Sequence, residues 1–560
     1  VKQRVAAARA AALFLVVACA TAPVGVHGQS ATPEHVRALL AQAAAAAPTS
    51  PQPGGTAAGA PGAVDLKLEE AVALALERNL DIAVERLNPQ FYDFTIAAFR
   101  AIYRPVVTST IGQNNITQLP TTQLVGGAAV QQDQTTFNFG GGQQLPWGGG
   151  SLNVTFNNRR QDSTSSFNTF NPQFNSGLSA FFAQPLLRNF RTDLTRTQLR
   201  VSLINRNISE LQLKTVVTNT LASVRNAYWD YVYTVDLLNV QQRSLELARK
   251  LLEDNRVRVE VGTLAPIDVV QAEAEVANRQ QEIAQVEAQM KTAELVLKRL
   301  IVSGTDDPRW KSRLNPVDRP AFERTVIDLE GALQAALTRR LDLAQSRQTL
   351  AANELNVKYL ANQKLPAVDL VASYGLQGIG GPRYVRDESL GGEITGTIPG
   401  GYADALRLLR SRDYPQWNAA VTISYPLGTS PAAASYARAR VTMRQTEAQI
   451  KALELQIATE ITNAASQMQS NITRVEAATA AREFAQKRLE AETSKFEVGL
   501  STNFFVVQAQ RDLAEAENSE LRARLDYQKS KVEFERSQDS SLSNAGISVV
   551  SITTNGNVVR

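Results

Sequence analysis

The sequence predicts a mixed α and β chain, internally duplicated, in which the strands of a transmembrane β-barrel are continued by long coiled-coil helices. Three observations carry that expectation. Long runs lack both Gly and Pro, period-two segments lie between those runs, and the second half of the chain repeats the first.

Composition narrows the function classes. The 560 residues hold 58 Lys and Arg against 54 Asp and Glu, a net charge of +4. Lys2, Arg4 and Arg9 contribute much of that excess, so the body of the chain offers no basic surface for nucleic acid. The single cysteine is Cys19, and the two histidines are His27 and His35. Zinc sites, Cys–His nucleophiles and Ser-His-Asp triads need these residues in the body of the chain, where there are none. The expectation is a non-enzyme with neither cofactor nor metal.

Residues 1–28 read as an export signal. Val1 to Arg9 is basic, Ala10 to Ala20 is apolar, and small residues lead to Val26-His27-Gly28. Two cleavage readings stand. One cuts after Gly28. The other takes Leu15-Val16-Val17-Ala18-Cys19 as a lipoprotein box and makes Cys19 the lipidated first residue. Residues 29–63, rich in Ala, Pro and Gly, read as a tether. No later stretch reaches the ~18 consecutive apolar residues of a spanning helix. A membrane-embedded chain must then cross as β-structure.

Leu186 to Val261 contains neither Gly nor Pro; Gly262 and Pro266 interrupt, and Ile267 to Ser303 is again clear. Ala432 to Val498 is clear, Gly499 interrupts, and Leu500 to Ala545 is clear. Rich in Ala, Gln, Glu, Arg and Leu, these runs predict helices. A helix from about Thr192 to Glu260 would extend roughly 100 Å. Val217, Leu221, Val224, Tyr228, Tyr231, Val235 and Leu238 form a seam that continues at Leu245, Leu252 and Val259. Met468, Val475, Leu489 and Phe496 keep the same beat, with Arg482 interrupting.

The strands alternate. Trp417, Ala419, Val421, Ile423 and Tyr425 face one way; Val368, Leu370, Ala372, Tyr374 and Leu376 do the same in an earlier segment. An apolar outer row with small or polar residues between is the pattern of a membrane barrel strand. Val106 to Gln113 and Gly177 to Gln184 are the first-half candidates.

The repeat is explicit. Leu68-Glu69, Ala71, Leu76, Arg78, Leu80, Asp81 and Ala83 realign with Leu329-Glu330, Ala332, Leu337, Arg339, Leu341, Asp342 and Ala344. Ala248, Lys250, Leu252, Glu253, Glu260, Val261 and Gly262 recur as Ala485, Lys487, Leu489, Glu490, Glu497, Val498 and Gly499. Val269-Val270-Gln271-Ala272 recurs as Val506-Val507-Gln508-Ala509. The expected organisation is a first repeat at 64–303, a linker at 304–325, a second repeat at 326–540 and a tail at 541–560. Asp306-Asp307 in the linker reads as solvated loop.

The duplicated unit, the strand-closing Gln184-Pro185-Leu186-Leu187 and Tyr425-Pro426-Leu427, and the two helix tips together resemble the TolC-like outer-membrane efflux protein family over about residues 64 to 540. The resemblance implies a homotrimer, with a β-barrel among outer-membrane lipids continued by an α-helical barrel through the periplasm. It also implies a periplasmic adaptor and an inner-membrane transporter as partners, in efflux or type I secretion. Four strands cannot close a barrel, whereas three copies supply twelve. The interval from Pro105 to Pro185 exceeds that from Pro366 to Pro426. Its excess holds Thr135 to Gly140 and Ser151 to Asn158, joined at Pro146-Trp147-Gly148-Gly149-Gly150, expected as a hairpin on the barrel surface. Two further wall strands are the alternative.

By the same resemblance, the tips Val261, Gly262, Thr263 and Leu264, and Val498, Gly499, Leu500 and Ser501, dock the adaptor. Asp268 holds a family gate position, although an acid there also complements a helix dipole. Phe505 and Gln508 stand where relatives can carry an acidic ring, so a hydrophobic constriction with Phe504 nearby is expected instead. The rival reading is a periplasmic coiled-coil adaptor or structural protein, which would carry one hairpin between small β domains rather than two equivalent hairpins.

Overall fold

The computed structural model describes residues 64–119, 129–165, 167–387, 393–428 and 430–540. The export signal with Cys19, the tether and the tail from 541 lie outside them. In chain order, β1 (Val64–Leu66) precedes α1 (Leu68–Arg78), α2 (Leu80–Glu85) and α3 (Asn88–Ala101). Strands β2 (Val106–Gln118), β3 (Val130–Gln144), β4 (Ser151–Ser163) and β5 (Gln173–Pro185) follow, then α4 (Leu194–Glu260) and α5 (Pro266–Ile301). The connection carries α6 (Pro308–Lys311) and β6 (Leu314–Pro316). Next come α7 (Leu329–Arg339), α8 (Leu341–Gln363), β7 (Ala367–Gly380), β8 (Arg383–Arg386) and β9 (Ile394–Ile398). The last elements are α9 (Tyr402–Ser411), β10 (Pro415–Ser424), α10 (Pro431–Glu497) and α11 (Asn503–Ser537).

The duplication is visible in the helices. α4 and α10 are each 67 residues long, and the returning α5 and α11 have 36 and 35. Each long helix starts on a side-chain cap: Asp193 accepts from the Arg196 amide and Ser430 from the Ala433 amide. On α4 the expected seam is buried from Val217 to Tyr231 and again at Leu238, but not beyond. Farther down, Ala248, Leu251 and Asn255 are buried in place of Leu245, Leu252 and Val259. The reason is a change of partner. Leu251 packs with Leu489, Phe496, Val506 and Leu513, so here α4 turns its face toward the second hairpin. On α10 the expected positions Met468, Val475, Leu489 and Phe496 are all buried, and Arg482 pairs with Glu520 at 2.7 Å.

The principal sheet has six strands, in the order β10-β7-β5-β4-β3-β2, all antiparallel. Four wall strands and a surface hairpin were expected; β3 and β4 instead lie between β2 and β5. The turn explains why. Residues 145–150 sit at the helical end of the sheet, where the Gln184 side chain donates to the Gly148 carbonyl at 2.8 Å and Arg196 to the Pro146 carbonyl at 2.7 Å. Gly148 and Gly149 have φ of +70° and +73°, and a Cβ on Gly149 would stand 2.7 Å from the Asn189 carbonyl. A hairpin projecting from the barrel would put this turn at its free tip.

Register assigns the faces. Val107, Ile111, Phe139, Tyr374, Trp417 and Val421 share one face, with exposed rings and branched chains. Thr136, Asn138, Asn157, Asn175 and Gln377 share the other. α9 rests on the apolar face beyond the end of β10. The Tyr402 ring meets Phe137 and Phe174, and a Cβ on Gly378 would collide with the Ala405 carbonyl.

The connection between the repeats straps the middle of the helices. β6 pairs with β1, and the Tyr231 hydroxyl donates to the Leu314 carbonyl. Tyr228 donates to the Leu66 carbonyl at 3.0 Å, and Tyr527 to the Glu323 carbonyl. Burial pushes the Tyr231 hydroxyl up to about 12. Asp307 is not solvated: it is buried, pairs with Arg78 at 2.8 Å and caps α6.

Candidate functional site: the helix tips

Both long helices end in the same turn. At the first tip the Thr263 amide donates to the Arg258 carbonyl (2.9 Å) and the Gly262 amide to the Val259 carbonyl (3.0 Å). At the second, Leu500 donates to Lys495 (2.8 Å) and Gly499 to Phe496 (3.2 Å). These are the two bonds of a Schellman stop, which needs a left-handed residue. Gly262 has φ +76° and Gly499 +79°, and no atom lies within 4 Å of where a Cβ would stand on either. The glycines are required by backbone conformation, while the space beside them is open.

The tips present apolar side chains to the exterior. Val261 and Val498 are exposed, Leu500 is 80% exposed, and Ile267, Phe504 and Phe505 are also exposed. Thr263 hydrogen-bonds back to the Arg258 carbonyl, and Leu264 is half-buried. The Ser501 hydroxyl donates to Glu492 at 2.8 Å. A cleft at the second tip is lined by Glu492, Lys495, Gly499, Leu500, Thr502 and Phe505.

Behind this surface the hairpins are locked together by polar contacts that sequence reasoning missed. Asn255 donates to the Asn503 side chain at 3.0 Å, with both residues fully buried. The Asn503 amide reaches the Asp268 carbonyl at 3.4 Å. Arg258 donates to the Phe496 carbonyl at 3.1 Å and lies over the Phe496 ring at 4.4 Å. Higher up, Glu275, 3% exposed, accepts from Arg279 on its own helix at 2.9 Å and from Arg511 on α11 at 3.0 Å. Burial alone would raise the Glu275 carboxyl; hydrogen bonds and charge from Arg511 and Arg279 outweigh it and hold the group below the usual carboxylate range. Asn255 stands one residue before the seam position that the four-and-three spacing would give, so no signal in the sequence marked this lock.

The three gate candidates fall into different surroundings. Asp268 lies in the first turn of α5, and its carbonyl faces both Asn255 of its own hairpin and Asn503 of the other, at 3.5 and 3.4 Å. Phe505 packs edge-on against Phe504, ring centroids 5.6 Å apart. Gln508 donates to Asp512 at 2.7 Å, which in turn accepts from Arg488.

The profile of the family described as Outer membrane efflux protein matches residues 143–302 and 332–537, well over half of the chain. No curated protein sequence matches it. Solved structures do. The CmeC outer membrane channel of Campylobacter jejuni is 13% identical, with 84% of this chain and 85% of that chain covered and a TM-score of 0.60. A membrane protein from Pseudomonas aeruginosa is 16% identical, with 88% and 99% covered and a TM-score of 0.61. The open-state MtrE outer membrane channel of Neisseria gonorrhoeae is 17% identical, with 85% and 89% covered and a TM-score of 0.56. At such identities the likeness is one of fold.

Proposed function

The chain belongs to the outer membrane efflux protein family, and from that premise we propose that its helix tips are the docking surface for a periplasmic adaptor. It is an outer-membrane efflux channel that extends into the periplasm, a transport protein and not an enzyme. Members of the family work as trimers within tripartite efflux systems. Three copies of this chain form a passive duct, and its energy comes from an inner-membrane transporter reached through the adaptor, in efflux or in type I secretion.

The observation that carries the docking reading is the identity of the two tips. A glycine alone only stops a helix. Two equivalent Schellman turns, each followed by exposed small or apolar residues and open space, offer a partner the same surface twice per copy. Val261 to Leu264 and Val498 to Ser501 make that contact. Phe505 narrows the entrance, with Asp268 and Gln508 beside it. The lock formed by Asn255, Asn503 and Arg258 lets the tip surface remain rigid while the adaptor approaches.

The test places a photocrosslinking residue at Leu500 in cells that carry the adaptor, with and without Gly499→Trp. Adduct formation that Gly499→Trp abolishes, with trimers intact, is the expected result. Unchanged adducts and unchanged export in Gly499→Trp would sink the docking reading.

A further inference from the structure

We propose that the membrane wall of the assembled channel has eighteen strands, six from each of three copies, and encloses a pore wider than a twelve-strand wall allows. The inference rests on the trimeric-channel reading above. It adds the strand count, the mating edges and the class of cargo the upper pore admits.

The strand path makes the case. β2 leaves the helical end, β3 returns to it, β4 leaves and β5 returns, with pairing continuous from Val106↔Gly142 to Gln118↔Val130 on one side of β3. On the far side of β4, Ser151↔Ala183 to Gln161↔Gln173 pair without a break. Had β3 and β4 projected from the wall, β2 would meet β5 directly. The 145–150 turn is instead pinned at the helical rim by Gln184 and Arg196. Within one copy, β2 and β10 are the two edges of this sheet. They run in opposite directions, so β10 of one copy meets β2 of the next as an antiparallel pair. An exposed edge of this length needs such a partner.

The dimensions agree with the helices beneath. Eighteen strands spaced ~4.8 Å and tilted ~40° have a perimeter of about 110 Å, against about 75 Å for twelve. Below the sheet, α3, α4, α8 and α10 lie side by side in each copy. Twelve such helices at ~9 Å spacing also give about 110 Å. Six strands per copy therefore continue the helical layer without a taper, whereas four would narrow it by about a third. The added wall faces inward with Thr136, Asn138 and Asn157, and with the Arg159 cation opposite Thr136. Bulky hydrophilic solutes are the class this lumen suits, at about twice the cross-section of a twelve-strand pore.

Engineered cysteine pairs in the full-length, membrane-assembled protein test it. The described residues contain no native cysteine, so each pair reports cleanly. Ser109→Cys with Phe139→Cys spans β2 and β3, and Val154→Cys with Ala180→Cys spans β4 and β5. A third set joins Ile111→Cys on β2 to Ser176→Cys, Leu178→Cys or Ala180→Cys on β5. Native sizing measures the trimer. The proposal expects near-complete linking of the first two pairs by a short thiol crosslinker, and no linking in the third set, in trimeric protein. Linking of β2 to β5, or loss of the β2–β3 link, in a trimer overturns the eighteen-strand wall and leaves the channel reading standing. A monomer in the membrane overturns both.

Discussion

Replacing Glu275 with Gln isolates the electrostatic lock between the two hairpins. The wild-type carboxylate is buried and bridges Arg279 on α5 to Arg511 on α11. Breaking a buried pair from one side costs ~3–5 kcal/mol. Two features reduce that here. The Arg511 side chain is half exposed, and Arg279 retains Glu282 at 2.9 Å. We therefore expect ~2 kcal/mol of local stability to be lost, about a 30-fold fall in amide protection at the near-neutral end. Hydrogen exchange of peptides covering 266–282 and 503–515 in the solubilised channel reads this directly. The pH dependence sharpens it. Glu275 titrates below its unfolded value, so its contribution is complete above about 4.3 and disappears as pH falls through the lower folded value. Wild type and Glu275→Gln should then converge in strong acid and diverge as pH rises. Equal protection at neutral pH, or a gap that persists in acid, would refute the reasoning.

Other outcomes follow from the same contacts. Gly262→Ala and Gly499→Ala keep open space but force a side chain into the left-handed region, costing ~1–2 kcal/mol at each tip; exchange should rise in the last turn of α4 or α10 with trimers unchanged. Phe505→Ala should fold normally, since the ring is exposed, and should raise leakage of antibiotics that are normally excluded; unchanged leakage would assign Phe505 to packing. Tyr231→Phe leaves the buried Leu314 carbonyl without its donor, at ~1–3 kcal/mol, and should speed proteolysis within 304–325. Gly149→Ala meets both the +73° backbone and the Asn189 carbonyl, and should cut the yield of membrane-assembled channel, measured by heat-modifiable migration.

Much of this architecture was legible because its signals are local. Gly262 with Pro266, and Gly499, mark helix ends where the chain has no other choice, and the observed helices stop within a few residues of them. β7 and β10 announce themselves through Val368 to Leu376 and Trp417 to Tyr425, rows that must alternate because one face meets lipid. β3 hid because its outward row reads Gln131, Asp133, Thr135, Phe137, Phe139, Gly141 and Gln143, too polar to show the beat. Its place in the wall is a matter of register with β2 and β4, which no single segment encodes. α9 hid for a related reason: a ten-residue helix exists there because Gly378 and Gly380 leave room for it on another strand.

The hairpin lock was invisible for the same physical cause. Asn255 and Asn503 are far apart in sequence and ordinary by type; only packing of two coiled hairpins removes both from water and pairs them. Asp307 shows the opposite error. Its neighbours in sequence are those of a surface loop, yet Arg78 from the start of the repeat covers it. Repetition in the chain predicts equivalent elements, and tertiary contact then decides how equivalent they remain. Val270 is 56% exposed, while its counterpart Val507 is 9% exposed, because Val507 meets α4 within the same copy. In the trimer, the neighbouring copy's α10 is the surface we expect Val270 to meet.

The most direct test of the account is the side of the membrane on which the residues after Asp387 lie. Asp387 itself follows β7 and β8, at the end of the sheet farthest from the long helices. A small epitope inserted after Asp387 should bind antibody on intact cells, with a label at Gly262 reached only after the outer membrane is permeabilised. Binding at Asp387 only after permeabilisation, in protein that is still exported, would leave the strands in the periplasm and contradict the channel.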